Sequence, residues 1–254
     1  MTMKKIKIGI EVDEILRAKW LQFDRYYVTE FGEEGVPEQP YSFDFFNDYK
    51  FEDKIEERIE LKEPEDMPEN INPIDYQVNE DGEANADIFI NKPKEKVEVT
   101  AKELYNRFMY EDYCFEIHGS APQMYKELDL HLGKFFKKYS DHVDFVIVSK
   151  ENWFTTPPTL FFLSKVLSRF KRYVFVEEDS ELWDDVDVLI TTNPKAITNK
   201  PEGKKLIKLD RPYNMDLTTE SDLPGKYLQV NDLYENEEFE KLIEYKKQEE
   251  NEWK

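Results

Sequence analysis

Apolar residues fall along this chain in two rhythms. From Lys5 to Asp13 charged and apolar residues alternate and the run then becomes apolar, as in a strand entering a sheet. Glu14 to Phe31 carries Leu16, Trp20, Phe23, Tyr27 and Phe31 at spacings of three and four, which predicts a helix stopped at Gly32. Downstream, Val143 to Ser149 is a near-continuous apolar run of the kind buried on both faces of a parallel sheet. Thr156-Pro157-Pro158 opens a helix through Leu160, Leu163, Val166, Leu167 and Phe170, and Tyr173 to Val176, Val186 to Ile190 and Leu206 to Leu209 read as further strands. Strand, helix, strand, helix, strand predicts an α/β fold with a doubly wound, mostly parallel sheet. Residues 1–16 and 119–215 supply that core, residues 17–118 interrupt it as a helical and irregular cap insertion, and residues 216–254 form an acidic tail. Within the tail, Phe239, Leu242 and Ile243 predict one short packed helix, and the lone Trp253 lies beyond it.

Two capping-box patterns mark additional helix starts. Thr100-Ala-Lys-Glu103 opens a helix through Met109, and Ser120-Ala-Pro-Gln123 opens one carrying Met124, Leu128, Leu132, Phe135, Phe136 and Tyr139. Residues 52–91 break the rhythm. They hold fourteen acids, three bases and Pro64, Pro68 and Pro73, for a net charge of −11, and read as a solvated excursion or an acidic docking arm.

The whole chain of 254 residues has a formal charge of −21, and a further −5 of it falls between Asn231 and Lys254. That sign opposes binding to phosphate backbones and anionic lipid, so neither direct nucleic-acid binding nor a membrane role is expected, whereas basic protein partners suit it. With 18 Phe, 15 Tyr and 4 Trp the chain carries too much aromatic surface to remain disordered. Cys114 is the only cysteine, which rules out an intramolecular disulfide or a multi-cysteine metal site. His118, His131 and His142 are scattered and read as surface or helix-end residues. The clusters Lys134, Lys137, Lys138 and Lys165, Arg169, Lys171, Arg172 read as solvated helix faces. The apolar run after the first lysines is broken by Lys7 and ended by Glu11 and Asp13, unlike a signal peptide, and nothing approaches a membrane-spanning length. The expected location is intracellular, cytoplasmic or inside a virion.

Ligands of open parallel sheets sit beyond the carboxyl ends of the strands. Those positions hold Glu11 and Asp13, Ser149, Glu177 and Glu178, and Thr191 and Thr192. This set, with an insertion following the first strand and helix, resembles the haloacid dehalogenase (HAD) superfamily, in particular its 5′(3′)-deoxyribonucleotidase branch. The most specific stretches are Asp187-Val-Leu-Ile-Thr-Thr-Asn-Pro194 and Leu209-Asp-Arg-Pro-Tyr-Asn214.

The resemblance implies a nucleophilic aspartate that also binds magnesium where this chain has Glu11, and a proton-shuttling aspartate at Asp13. A glutamate is one methylene longer and displaces the attacking oxygen by about an ångström, a misplacement worth ~100-fold or more in rate. Ser149 matches the family's phosphate-binding hydroxyl. The expected phosphate-neutralising lysine has no counterpart between Thr156 and Leu160; Lys150 is near the strand end and Lys165 lies too far along the helix. Where the family completes its metal site with two acids, this chain has Thr191 and Thr192, whose hydroxyls bring no carboxylate charge; Asp185 and Asp187 lie too early to substitute. The resemblance therefore implies a degenerate site, no metal or cofactor, and a non-catalytic structural or assembly subunit that contacts other proteins, as in a phage virion. Two alternatives stay open: a magnesium-dependent nucleotide phosphatase that tolerates Glu11, and a module that binds nucleotide without hydrolysis.

Overall fold

A computed structural model describes residues 5–39, 42–43, 45–59, 94–166, 172–217, 219 and 221–252. The chain divides into two compact units, Met1–Lys50 with Asn106–Lys254, and Phe51–Tyr105.

The first unit is built on five parallel strands: β1 (Ile6–Glu11), β4 (Val143–Lys150), β5 (Tyr173–Val176), β6 (Val188–Thr191) and β7 (Lys205–Lys208). Their spatial order is β5-β4-β1-β6-β7. Chain order therefore runs outward from β1 in one direction and then reverses, leaving a switch point between β1 and β6, as in Rossmann-like folds. Register is fixed by Ile10 opposite Ile147 on one side and Ile190 on the other.

Alternation along the strands feeds two separate cores. Ile6, Ile8, Ile10, Val143, Ile147, Val188 and Ile190 face one side, where they meet α3 (Leu128–Tyr139), α4 (Thr156–Val166) and α6 (Glu237–Glu252) through residues such as Leu132, Phe162 and Phe239. Val146, Val148, Leu189 and Leu206 face the other, against Leu182 and Trp183 of a 3₁₀ turn and Ala196 and Ile197 of α5 (Pro194–Thr198). Gly9 sits in the middle of β1 on this second face, and a Cβ there would lie 2.7 Å from Val186 Cγ1. The missing side chain is what lets Val186 close over the central strand.

Several elements depart from the sequence pattern, each for a local reason. α1 spans Lys19–Phe31 and starts five residues later than the apolar spacing predicts. Glu14 adopts a left-handed φ of 57°, and the amides of Leu16 and Arg17 fold back to the Val12 carbonyl at 2.9 and 3.1 Å. Residues 14–17 are thus a tight turn, and Leu16 belongs to the sheet core instead of the helix. The helix does bury Phe23 and Tyr27, in an aromatic cluster with Phe45, Tyr49 and Phe108. Gly32, at φ 85°, ends it as expected.

Ser120-Ala-Pro-Gln123 does not open a helix. Its backbone is spent on neighbours: Pro122 O accepts from Ala18 N at 3.0 Å, Met124 N donates to Leu16 O at 2.9 Å, and α3 begins only at Leu128. The other capping box forms as predicted, with Thr100 N donating to Glu103 Oε2 at 2.8 Å and Glu103 N to Thr100 Oγ1 at 3.2 Å. It opens α2 (Ala101–Arg107), after which the chain continues through π-helical turns at Phe108–Asp112 and Phe115–Gly119. α4 and β5 fall where the pattern put them, although Leu167, Arg169, Phe170 and Lys171 lie outside the described residues. The tail helix buries Phe239, Leu242 and Ile243, and Trp253 lies outside the described residues.

In the second unit, β2 (Lys54–Ile59) and β3 (Lys94–Val99) pair antiparallel from Lys54 opposite Val99 to Ile59 opposite Lys94. The acidic segment expected over 52–91 thus begins in a strand, and its remainder lies outside the described residues. No helix among the described residues is long and apolar enough to cross a membrane.

Candidate functional site

The carboxyl ends of β1, β4 and β6 bring Glu11, Asp13, Ser149, Thr191 and Thr192 into one buried polar cluster. Thr191 Oγ1 donates to Glu11 Oε2, Asn193 Nδ2 donates to Glu11 Oε1 at 3.3 Å, and Thr192 Oγ1 donates to the Asp13 carbonyl at 3.4 Å. Burial, reinforced by the nearby Asp13 and Asp179 charges, pushes the Glu11 carboxyl up to about 7 despite those two hydrogen bonds.

Asp13 goes the opposite way. Burial opposes its ionisation, but two cations overcome it: Arg17 Nε donates to Asp13 Oδ1 at 2.7 Å, and Lys19 Nζ pairs with Asp13 Oδ2. They hold the carboxyl well below the usual carboxylate range. Both oxygens are thereby occupied by protein cations.

Arg17 is the hub of the cluster and is fully buried. Besides Asp13 it contacts Glu151 Oε1 at 3.2 Å, the His118 carbonyl at 2.7 Å and Thr159 Oγ1 at 2.6 Å. Glu151 Oε1 in turn accepts from Ser149 Oγ at 2.7 Å and from Thr159 Oγ1 at 2.9 Å. Ser149 therefore aims its hydroxyl at a protein carboxylate.

At the end of β5, Asp179 takes the place that Glu177 and Glu178 were expected to fill. Those two are exposed, and their amides donate to Glu181 Oε2 at 3.0 and 2.9 Å. Asp179 is buried and accepts from Asn193 Nδ2 at 2.8 Å and from Lys150 Nζ at 2.7 Å. Lys150 does reach in from its strand end, but to a carboxylate. Of the early aspartates, Asp187 Oδ2 accepts from Lys7 N at 2.8 Å and Asp185 pairs with Arg172 at 2.9 Å, both outside the cluster.

The two specific motifs build its walls. Asn193 caps α5, its side chain accepting from Lys195 N at 3.0 Å and Ala196 N at 3.4 Å, and Pro194 follows at the first helical position. Asn214 Nδ2 donates to the carbonyls of Thr192 and Leu209 at 2.9 and 3.0 Å, clasping the ends of β6 and β7. Arg211 donates to the carbonyls of Leu228 at 2.8 Å and of Glu14.

His118 lies in the last turn of the Phe115–Gly119 π-helix, matching the helix-end half of the expectation, but it is not at the surface. It is buried, neither ring nitrogen has a hydrogen-bond partner among the described residues, and Tyr110 stacks on it with centroids 6.2 Å apart. Burial, with Arg17 and Lys19 nearby, pushes its imidazole well below the ordinary range and keeps it neutral. His131 is half-buried and His142 exposed.

Magnesium needs hard oxygen donors with net negative charge free to face it. Here burial raises the Glu11 carboxyl to about 7, Asp13 is covered by Arg17 and Lys19, Asp179 by Lys150 and Asn193, and Glu151 by Arg17, leaving the Ser149, Thr191 and Thr192 hydroxyls, which bring no charge. The residues present do not fit the ion. Among the described residues no group of three or more His, Cys, Asp or Glu side chains is arranged to hold a metal. Arg17, Lys19, Glu151 and Asp179 were not singled out from sequence. A charged residue in an apparently amphipathic helix reads as solvent-facing, and only the tight turn at Glu14 turns Arg17 inward.

Neither a scan against protein-family models nor a comparison with characterised proteins finds a match to this chain.

Proposed function

We propose that the chain is a non-catalytic member of the HAD-like fold, of the 5′(3′)-deoxyribonucleotidase type, that works through protein–protein contacts as a structural subunit of a larger assembly such as a phage virion. The observation that carries this reading is the occupancy of Asp13: both carboxylate oxygens are held by Arg17 and Lys19. A proton shuttle has to exchange a proton near neutral pH, and a carboxylate locked in its ionised form by two cations cannot. Glu11 and Ser149 are likewise engaged, with Thr191 and Asn193 and with Glu151. The sheet order, with its switch point beside β1, supports the fold assignment. The acidic charge of −21 supports contacts with basic partners.

Purified protein incubated with deoxynucleoside monophosphates and magnesium should release no phosphate. Release that disappears in Glu11→Gln overturns the non-catalytic reading. Material isolated from its native source should sediment with partner proteins, and a folded monomer that brings none overturns the assembly reading.

A further inference from the structure

Large apolar side chains lie exposed together on one corner of the first unit. Phe115, Trp153, Phe154, Leu160 and Phe161 are each at least 40% exposed, and Trp153 reaches 76%. Trp153 stacks on Phe154, and Phe115 meets Phe161 with ring centroids 4.9 Å apart. Cys114 Sγ lies 3.5 Å from the Phe154 carbonyl, which ties the two pairs into one surface. Single exposed apolar residues need no explanation, but a contiguous aromatic group on a charged protein marks a contact surface.

The loop that presents Trp153 is braced. Asn152 Oδ1 accepts from the amides of Phe154 and Thr155 at 2.9 Å each, Asn152 N donates to Thr155 Oγ1 at 3.0 Å, and Thr156 Oγ1 donates to the Asn152 carbonyl at 2.8 Å. Its base is Glu151, anchored to the buried Arg17. A rigid exposed tryptophan loses little freedom when covered, as a binding hot spot requires.

Charge selects the occupant. The π-helical turn that carries Phe115 also carries the half-buried Glu116, and the π-helical turn before it carries the exposed Glu111 and Asp112; among the described residues, the cation set on a ring of the patch is Lys165, spent over Phe161 at 3.8 Å. A second copy of this chain would bring another −21 and be repelled. We infer that this corner docks a partner-protein segment that presents large aliphatic side chains flanked by lysine or arginine. The inference rests on the assembly reading and narrows it to a surface and a partner chemistry.

The test uses the full chain and a fluorescein-labelled amphipathic peptide of leucine and lysine, about 18 residues long, with a leucine and glutamate peptide as control. The basic peptide should bind by anisotropy, shift Trp153 emission to the blue, and bind about tenfold or more weakly to the double variant Trp153→Ser, Phe161→Ser. The control variant Leu228→Ser, at another exposed apolar position, should leave binding unchanged. Melting temperatures verify that each variant folds. Equal affinity for the double variant, no binding at all, or concentration-dependent dimers that the double variant abolishes would each overturn the proposal, the last by making the occupant a second copy. Phosphate release is measured separately, so loss of the non-catalytic reading and loss of this docking surface remain distinguishable.

Discussion

Glu11 and Asp13 stand two residues apart at the end of one strand, are both buried, and are driven in opposite directions. Glu11 rises to about 7 while Asp13 falls well below the ordinary carboxylate range. Burial penalises ionisation at both, so burial does not explain the difference. The neighbours do: neutral hydroxyl and amide donors at Glu11, a guanidinium and an ammonium at Asp13. Neutral donors stabilise a buried carboxylate only partly, whereas a full opposite charge at contact distance decides its state.

The sharpest way to break that contrast is to remove the cation. Arg17→Met should destabilise the protein by about 3 to 5 kcal/mol, because Glu151 loses the cation beside its buried carboxylate, keeping the Ser149 and Thr159 hydroxyls, and Asp13 keeps Lys19 but loses Arg17. Urea denaturation at pH 7 measures this, and a loss below about 1 kcal/mol would falsify the hub role given to Arg17.

Glu11→Gln tests the other half. Because Glu11 binds its proton more tightly in the folded chain than in the unfolded one, its contribution to stability falls as pH rises from 4.5 to about 7 and is constant above. The glutamine variant should therefore be more stable than the parent by up to about 3 kcal/mol at pH 8 and show no such gain at pH 4.5. Denaturation midpoints at the two pH values give the answer, and an equal offset at both contradicts the assignment.

Smaller still is the effect of Asn214→Ala. It frees the carbonyls of Thr192 and Leu209, for an expected loss of about 1 to 3 kcal/mol. Ser149→Ala removes one of three donors to Glu151 Oε1 and should lower stability by about 1 kcal/mol. Were Ser149 instead a ligand-binding hydroxyl, its loss would weaken nucleotide binding by calorimetry while leaving stability untouched.

Much of the sheet was legible because its strands are short, apolar and separated by helical spacing. Tyr173–Val176 and the start of α4 at Thr156 were recoverable from composition alone. The five candidate positions were legible for the same reason, since strand ends in a parallel sheet converge. What escaped was conformational. A non-glycine residue in the left-handed region at Glu14 converts a predicted helical turn into a hairpin-like reversal, and Arg17 then points into the protein. Ser120 matches a helix cap as well as Thr100 does, but its neighbours' backbone groups are claimed by residues 16–18, and no local pattern reports that competition. Asp179 was missed because the strand-end count stopped at Glu178, whereas the 3₁₀ turn over Asp179–Trp183 carries the next acid inward.

The position of β1 also shapes how the protein comes to exist. Its two neighbours are β4 and β6: Ile8 pairs with Phe145, 137 residues later, and with Val188, 180 residues later, so the central strand has no permanent partner until more than half of the chain has been made. At synthesis rates of about 5 to 20 residues per second, the wait for the first partner is roughly 7 to 27 seconds. During it, the segment Ile8-Gly9-Ile10 and Val12, fully buried in the finished fold, is exposed to the ribosome surface, to chaperones and to other nascent chains. The alternating Lys5 and Lys7 place charge beside it, the placement that gatekeeper residues take next to unavoidable apolar strands.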